Sequence, residues 1–162
     1  MTITAGQPLP LANLQRVKDG KVEEVSTAEL FDGRKVVLFA VPGAFTPTCS
    51  EAHLPGYIAN IQAFRDLGVD IIGIAVNDAY VMDAWRNLQG APDDLQLLAD
   101  GNAVLTRELG LELDASAYGM GVRSKRFALY AVDNVAQFVN VEAPGEFRVS
   151  SAEYVLEQLR AL

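Results

Sequence analysis

The chain has the length and composition of a small globular domain. Its 162 residues, half of them hydrophobic, are enough for a sizeable core, so one domain over residues 1–162 is predicted. Thirteen basic against twenty-one acidic residues give a net charge of −8, which argues against a general affinity for nucleic acid or anionic membranes. Cys49 is the only cysteine, which excludes an internal disulfide framework, a CxxC redox pair and a multi-cysteine zinc site.

The first part of the chain indicates short elements between turns. Ile3 to Val17 is typical of extended structure with turns, and Lys21 to Val25 of a short strand. A brief helix is predicted over Thr27 to Phe31, capped by Ser26 or by Thr27 itself and ended before Gly33. No signal peptide or transmembrane run is indicated, so a cytoplasmic location is expected.

The next stretch joins a buried strand to a helix start at the cysteine. Val36 to Val41 is an apolar run of strand length that breaks at Pro42. Pro47 suits the first position of a helix because its φ is already helical and its missing N–H has no partner there. Thr46 is the natural N-cap, which places Cys49 in the first turn of the helix.

A helix start favours a reactive cysteine. The first N–H groups have no intrahelical partner and the peptide dipoles leave partial positive charge there, which stabilises a thiolate. An isolated cysteine is more often a small buried hydrophobe. The order of strand, tight turn, Thr46, Pro47 and Cys49 nevertheless favours a reactive site.

The helix that begins at the cysteine is predicted to run to about Leu67 and to end at Gly68. Pro55 and Gly56 are expected to bend it near its second turn. Four apolar residues at helical spacing are predicted to face the core: Ile58, Ile61, Phe64 and Leu67.

Strands and helices then alternate. Val69 to Val76 is predicted to be a strand that is buried on both faces, and Leu95 to Ala99 another strand. Asn77-Asp78 cap a predicted helix over Ala79 to Leu88, and a further helix is predicted over Asn102 to Leu109. This alternation implies parallel strand pairing through right-handed crossovers.

The last third changes to a hairpin and a closing helix. After a Gly-bearing loop at 118–122, Arg126 to Val132 and Gln137 to Val141 are predicted to pair around Asp133-Asn134. Ser150 or Ser151 caps a final helix with three residues facing the core: Val155, Leu156 and Leu159. The elements together predict an α/β, thioredoxin-like fold with a central mixed β-sheet flanked by helices.

The cysteine lies in a recognisable motif. Residues 42–50, PGAFTPTCS, followed by HLPG at 53–56, resemble the peroxidatic signature of the peroxiredoxins, in particular the type II or peroxiredoxin-5 subfamily. Residues 76–78, 97–100 and 123–128 also match, so the resemblance covers nearly the whole chain. It implies a thiol peroxidase without a cofactor that reduces hydrogen peroxide and organic hydroperoxides in antioxidant defence and redox homeostasis.

The resemblance also implies site roles. Cys49 supplies the thiolate and passes through a sulfenic acid, Thr46 hydrogen-bonds beside the sulfur and the peroxide, and Pro42 shields the site from water. Arg126 matches the active-site arginine of the family and binds both thiolate and peroxide. Its guanidinium stays charged and offers several donors in one plane.

Other cations flank that arginine. Arg123 and Lys125 are nearby in RSKR, and the motif alone favours Arg126 over Arg123, which is the second candidate. Without the motif, such a run is more often a solvated face.

His53 lies four residues after Cys49, so both side chains are expected on one helix face. One interpretation is a Cys–His pair of a cysteine hydrolase, with the imidazole as base. The favoured interpretation is that His53 hydrogen-bonds locally and helps to orient the site. One Cys and one His are too few strong ligands for a metal site, so no metal is expected.

The chain differs from some relatives in having no second, resolving cysteine. Animal-type members carry one near the position of Ser150 and plant-type members near that of Gly73. The resemblance therefore implies an external thiol as reductant, with glutathione and glutaredoxin the first choice and thioredoxin the second. Further oxidation of the sulfenic acid to sulfinic acid is an expected side reaction.

Two further expectations concern partners. Family members commonly pair through the loop around Phe45 and the helix that begins near Ala79, so a homodimer is predicted; Tyr80 and Trp85 are predicted to be core or interface aromatics. A thioredoxin-fold binding or chaperone-like module with an idle Cys49 is the other alternative.

Overall fold

The structure, a computed structural model, describes all residues, 1–162. Nine strands and five helices follow one another along the chain, with a π-helical turn at Cys49–His53 and a 3₁₀ turn at Ser116–Tyr118. In chain order they are β1 (Asn13–Lys18), β2 (Lys21–Ser26), α1 (Thr27–Phe31), β3 (Lys35–Ala40), α2 (Leu54–Asp66), β4 (Asp70–Ala75), α3 (Ala79–Gln89), β5 (Leu95–Ala99), α4 (Val104–Glu108), β6 (Glu112–Asp114), β7 (Val122–Ser124), β8 (Phe127–Val132), β9 (Val135–Val141) and α5 (Ala152–Arg160). None of the helices is long and apolar enough to span a bilayer.

Seven strands form one mixed sheet in the order β2-β1-β5-β4-β3-β8-β9. The pairs β3–β4 and β4–β5 are parallel, as the alternation of strands and helices predicts, and the remaining pairs are antiparallel. The prediction of a central mixed sheet flanked by helices is confirmed.

The apolar strands β3 and β4 lie at the centre of the sheet, where helices cover both faces. Five of the six residues of β3 and five of the six residues of β4 are buried. α2, α3 and α5 pack on one face, together with Cys49. α1, α4 and the N-terminal residues pack on the other face. The cysteine therefore lies within one of the two hydrophobic layers.

Three of the predicted helix caps and the hairpin turn are confirmed. Ser26 accepts a hydrogen bond from the N–H of Glu29, Asp78 from Val81 and Ser151 from Tyr154. In the β8–β9 hairpin, Asp133 and Asn134 have φ of 46° and 67°. Two successive positive φ values match the right-handed twist of the strands, and Asp and Asn tolerate that conformation.

The helix after the cysteine differs from the prediction. Helical backbone begins at Pro47, but Cys49–His53 is π-helical, and α2 ends at Asp66. Pro55 has no N–H to donate to the carbonyl four residues before it, and a wider turn directly before the proline accommodates the missing bond. Leu67 is exposed, so its prediction as a core residue is wrong.

The strand predicted over Lys21 to Val25 is confirmed as β2, but its pairing with β1 and the strands β6 and β7 were not predicted. β1 and β2 form a hairpin, and β6 and β7 form a separate two-stranded ladder across the Gly-bearing loop. These strands carry many charged residues and lack a continuous apolar run, so their pairing depends on neighbours rather than on local pattern. α4 and β9 also have bounds that differ by two residues or fewer from those predicted at each end.

Candidate active site

Sheet topology brings together two residues that are far apart in sequence. Cys49 follows β3, and Arg126 directly precedes β8. β3 and β8 are antiparallel neighbours, with Ala40 opposite Phe127, so the end of one strand lies beside the start of the other. The Nη2 group of Arg126 consequently donates a hydrogen bond of 3.0 Å to the Sγ of Cys49.

The turn before the cysteine has the predicted backbone but not the predicted cap. The N–H of Ser50 donates to the carbonyl of Thr46, which is the first bond of the helix. The hydroxyl of Thr46 does not cap that turn, because it donates to the carbonyl of Gly43 at 2.6 Å. The Thr46 hydroxyl proton is thus used inside the turn, and the hydroxyl oxygen keeps lone pairs for another donor.

His53 holds the arginine. Its Nδ1 accepts from Nη1 of Arg126 at 2.8 Å, and its Nε2 lies 3.0 Å from the carbonyl oxygen of Ser150. A guanidinium only donates and a carbonyl only accepts, so the imidazole carries its proton on Nε2. Burial and, to a lesser extent, Arg126 lower the pKa of His53 to about 3, against the effect of the Ser150 bond. His53 is therefore neutral at physiological pH.

This arrangement disfavours the cysteine hydrolase interpretation. A base for Cys49 needs a free ring nitrogen within hydrogen-bond reach of the sulfur. Both nitrogens of His53 are engaged, with Arg126 and with Ser150. The histidine shares a helical segment with the cysteine, as its spacing predicts, but contacts it through the arginine.

The neighbouring cations lie elsewhere. Arg123 donates to the carbonyls of Met120 and Pro42 at 3.0 and 3.4 Å, so it ties the loop before β7 to the turn after β3. Lys125 is exposed. Of the three cations in RSKR, Arg126 alone hydrogen-bonds the sulfur.

Aromatic rings surround the histidine and the arginine. The ring of His53 lies 5.1 Å from that of Phe39, 5.7 Å from Tyr57 and 5.0 Å from Phe147. The guanidinium carbon of Arg126 lies 5.9 Å from the centre of the Phe147 ring, within range of a cation–π interaction. Hydrogen bonds among Cys49, His53 and Arg126 are strengthened by these apolar surroundings, which exclude water.

A pocket of about 320 Å³ opens beside the arginine. Its lining includes Pro42, Thr48, Tyr118 and Arg126. Pro42 is half-buried in this lining. Cys49 itself is fully buried, so reagents that reach the sulfur must be small or must follow a movement of the surrounding turn.

Sequence patterns alone missed several residues around the site. Tyr57 donates to the Ser150 carbonyl at 2.8 Å, and its position four residues after His53 was an available signal for a shared helix face. Trp85 donates to Ser50 at 3.0 Å, next to the cysteine. No local pattern could associate Ser150 with a histidine 97 positions earlier. The structure has no cluster of three or more His, Cys, Asp or Glu side chains suited to a metal ion.

Comparisons with known proteins agree with this geometry. The model of the Redoxin family matches residues 4–156. Peroxiredoxin-2E-2, a chloroplastic protein of Oryza sativa subsp. japonica, is 51% identical over 98% of this chain and 73% of its own length. Reduced Prx3 of Vibrio vulnificus in complex with H2O2 is 49% identical with a TM-score of 0.93, covering 98% of this chain and 99% of that one.

A more distant solved structure has the same fold. Peroxiredoxin 5 of Alvinella pompejana is 32% identical with a TM-score of 0.87, covering 99% of each chain. The family match, the identity of about half the residues and the shared fold agree with the motif around Cys49. The chain therefore belongs to the Redoxin family and is a peroxiredoxin, a thiol-dependent enzyme that reduces peroxides.

Proposed function

We propose that Cys49 is the peroxidatic nucleophile and that Arg126 stabilises both its thiolate and the reacting peroxide. The observation that carries this proposal is the 3.0 Å hydrogen bond from Arg126 to the sulfur, made by a guanidinium that His53 holds from the other side. A cation that donates to sulfur favours the thiolate, which is the nucleophilic form.

The reaction transfers one oxygen atom. The Cys49 thiolate attacks one oxygen of the hydroperoxide, an S–O bond forms, the O–O bond breaks, and the electron pair leaves on the other oxygen as hydroxide or alkoxide. Sulfur is oxidised by two electrons to sulfenic acid, and the peroxide is reduced to water or an alcohol once the leaving oxygen is protonated. Arg126 offers charge and planar donors where negative charge develops.

Two further residues support this step. Thr46 orients the peroxide: its proton is engaged with the Gly43 carbonyl, so its oxygen accepts the O–H of the bound hydroperoxide. Pro42 lies at the rim of the pocket and limits the access of water to the sulfenic acid. His53 acts on the reaction only through Arg126.

The test of the site is chemical trapping. We expect reduced protein treated with one equivalent of hydrogen peroxide and a sulfenate-trapping reagent to gain one adduct at Cys49, measured by peptide mass spectrometry. The Cys49→Ser variant gives no adduct, and Arg126→Ala slows adduct formation by at least about 100-fold. Arg34→Ala is the control, since Arg34 is exposed at the opposite end of β3. Oxidation of Cys49 no faster than that of a free thiol would contradict the proposal.

An external thiol completes the cycle in this proposal. The chain has one cysteine, so a thiol from another molecule attacks the sulfenic sulfur, releases water and forms a mixed disulfide, which a second thiol then reduces. Glutathione with glutaredoxin is the first candidate and thioredoxin the second. Steady-state peroxide turnover with each purified reductant, coupled to NADPH oxidation, distinguishes them; turnover with neither would contradict both.

The homodimer and the cytoplasmic location are also proposals. Phe45 and Tyr80 expose 48% and 69% of their surface, which gives support to pairing through these regions. Subcellular fractionation of the native source tests the location.

A further inference from the structure

A buried carboxylate, that of Glu142, lines the pocket beside the active-site arginine, and the guanidinium donates its side-chain hydrogen bonds to His53 and Cys49 instead. Glu142 follows β9 and stands opposite Arg126 across the β8–β9 hairpin, where its N–H donates to the Arg126 carbonyl at 3.0 Å. The residue is 8% exposed, and no ion pair joins its carboxylate to any cation. Burying a carboxylate is unfavourable unless hydrogen bonds compensate for the lost water.

The hydrogen bonds of Glu142 converge on one short segment. Its Oε2 accepts from the N–H of Arg148 at 2.8 Å, the N–H of Ser150 at 2.9 Å and the hydroxyl of Ser150 at 2.6 Å. Three donors on one carboxylate oxygen compensate for the water that this oxygen loses on burial. The carboxylate thereby closes the loop 143–149 and fixes the position of Ser150.

Ser150 in turn determines the tautomer of His53. Its carbonyl accepts from Nε2 of His53 at 3.0 Å and from the hydroxyl of Tyr57 at 2.8 Å. A carbonyl at that position requires the Nε2–H tautomer, which leaves Nδ1 as an acceptor for Arg126. The other tautomer would direct an N–H towards the guanidinium and repel it.

We propose that Glu142 is a positioning residue for Arg126, acting through Ser150 and His53. Glu142 orients Ser150, Ser150 selects the tautomer of His53, and His53 directs the guanidinium at Cys49. A carboxylate paired directly with Arg126 would neutralise the charge that the thiolate and the peroxide need. A neutral imidazole between the two orients the arginine and leaves its charge available.

The two carboxylate oxygens of Glu142 have different surroundings, which makes a conservative substitution available. Glu142 Oε1 is buried and has no hydrogen-bond partner, whereas all three donors converge on Oε2. A glutamine side chain would supply one such acceptor oxygen and place its NH2 group where Oε1 lies. Glutamine at this position therefore keeps the hydrogen bonds that orient Ser150 and serves as a conservative rescue.

The test compares three variants with the parent in single-turnover oxidation of Cys49 by hydrogen peroxide. Glu142→Ala is expected to lower the second-order rate constant by about 10- to 100-fold, the loss typical of a small misplacement of a catalytic group. Glu142→Gln restores most of the rate. Glu142→Asp draws the carboxylate back by one methylene and is expected to lower the rate as well. It provides the test if Glu142→Ala does not fold.

Glu153→Gln is the matched control for charge. Burial and, to a lesser extent, the charges of Glu153 and Glu142 raise the pKa of Tyr57, so both carboxylates lie near the site. Glu153 is exposed on the first turn of α5 and does not bond Ser150, so Glu153→Gln removes a nearby charge without changing the hydrogen bonds of Ser150. We expect the Glu153→Gln rate to stay within about twofold of the parent. An equal loss in Glu153→Gln would assign the effect to net charge and overturn the proposal.

Two readouts separate positioning from a structural role. Because His53 is the only histidine, ¹⁵N spectra of histidine-labelled protein report its tautomer directly. The parent is expected to show protonated Nε2 and unprotonated Nδ1, and Glu142→Ala a mixture of tautomers. In an Arg126→Ala background, Glu142→Ala is expected to cause no further loss of rate, since residues that act as a unit are not additive.

The outcomes separate this inference from the proposed site on which it rests. A parent protein whose Cys49 reacts slowly with peroxide overturns the site itself. A reactive parent with Glu142→Ala and Glu142→Asp rates within twofold of it, an unchanged tautomer, or an additive loss with Arg126→Ala overturns only the role of Glu142.

Discussion

At the scale of single residues, the neutrality of His53 decides what Arg126 can do. An imidazolium beside the guanidinium would repel it and leave Nδ1 without a lone pair to accept its hydrogen bond. Burial and Arg126 keep the imidazole neutral, with its pKa lowered to about 3. His53 therefore orients Arg126 without neutralising its positive charge.

This neutrality predicts how stability depends on pH. Unfolded His53 has a pKa near 6.5, so below that pH the unfolded state binds a proton that the native state binds only near pH 3. The His53 contribution is therefore fully present above pH 6.5 and is lost as pH falls towards 3, by about 1.4 kcal/mol per pH unit. Urea denaturation at pH 7, 6 and 5 measures it.

The comparison for this prediction is His53→Gln, which keeps a hydrogen-bonding side chain but does not titrate. Since the chain has no other histidine, we expect the variant to lose most of the slope between pH 6.5 and 5. An unchanged slope would show that other groups cause the dependence.

At the scale of elements, α3 is tied to the turn that carries the cysteine. Trp85 is 1% exposed in the core, and its indole N–H donates to Ser50 at 3.0 Å. The α3 helix thus restrains the π-helical turn that leads into α2.

Trp85→Phe is expected to lower the free energy of unfolding by about 1–2 kcal/mol, through one lost hydrogen bond and a smaller side chain. Denaturation followed by circular dichroism measures the change. Ser50→Ala removes the same bond from the other side. The double variant should show a coupling of about 1 kcal/mol, and purely additive effects would contradict the role of this bond.

The middle of β4 is packed against its neighbours too closely for a side chain. A Cβ at Gly73 would lie 2.6 Å from Phe39 Cζ and 2.7 Å from Leu97 Cδ2. The resemblance puts the resolving cysteine of plant-type members near this position. The surrounding side chains of this chain therefore leave no room for a cysteine at Gly73 without repacking.

Gly73→Ala is accordingly expected to cost about 1–3 kcal/mol of stability, the usual range for overpacking a core. Thermal and urea denaturation measure it. Gly56→Ala is the control, because its Cβ would meet Glu153 Oε1 at an ordinary 3.7 Å within α2, so we expect a neutral or stabilising effect. Equal effects of the two substitutions would contradict the packing argument.

At the scale of the whole molecule, two exposed aromatic residues lie in the regions through which the homodimer is proposed to form. Tyr80 is 69% exposed at the start of α3, and Phe45 is 48% exposed with a φ of 67° in the turn before the cysteine. A positive φ is unfavourable for a bulky residue and persists where surrounding structure compensates for it.

In the proposed homodimer Tyr80 lies at the contact, so Tyr80→Glu, which would place a charge there, is expected to shift the protein from dimer to monomer at micromolar concentration. Sedimentation velocity measures the shift. Tyr154→Glu, on α5 and 40% exposed, should leave the oligomeric state unchanged. A parent protein that sediments as a monomer would contradict the dimer.

Local chemistry determines most of what the sequence predicts correctly. The buried strands β3, β4 and β5 are continuous apolar runs, and the caps Ser26, Asp78 and Ser151 act within three residues. The motif around Cys49 identifies the family from nine consecutive residues, 42–50. These features depend on neighbours along the chain, so the sequence alone was sufficient.

The remaining features depend on contacts between distant segments. The β1–β2 hairpin was not apparent from the pattern, because strand pairing depends on the neighbouring strand. The π-helical turn was not apparent either, because it depends on the hydrogen bond that Pro55 cannot donate. The Thr46 hydroxyl likewise donates to the Gly43 carbonyl instead of capping the helix.

The sequence by itself determined that this chain places its one cysteine at a helix start in an α/β fold, because strand, turn and helix signals are local. Only the tertiary structure decided which cation reaches the sulfur and what holds it. Sheet pairing between β3 and β8 brings Arg126 to Cys49, and the loop after β9 brings Ser150 and Glu142 behind His53. Such contacts join positions up to 97 residues apart, and packing rather than spacing brings them together.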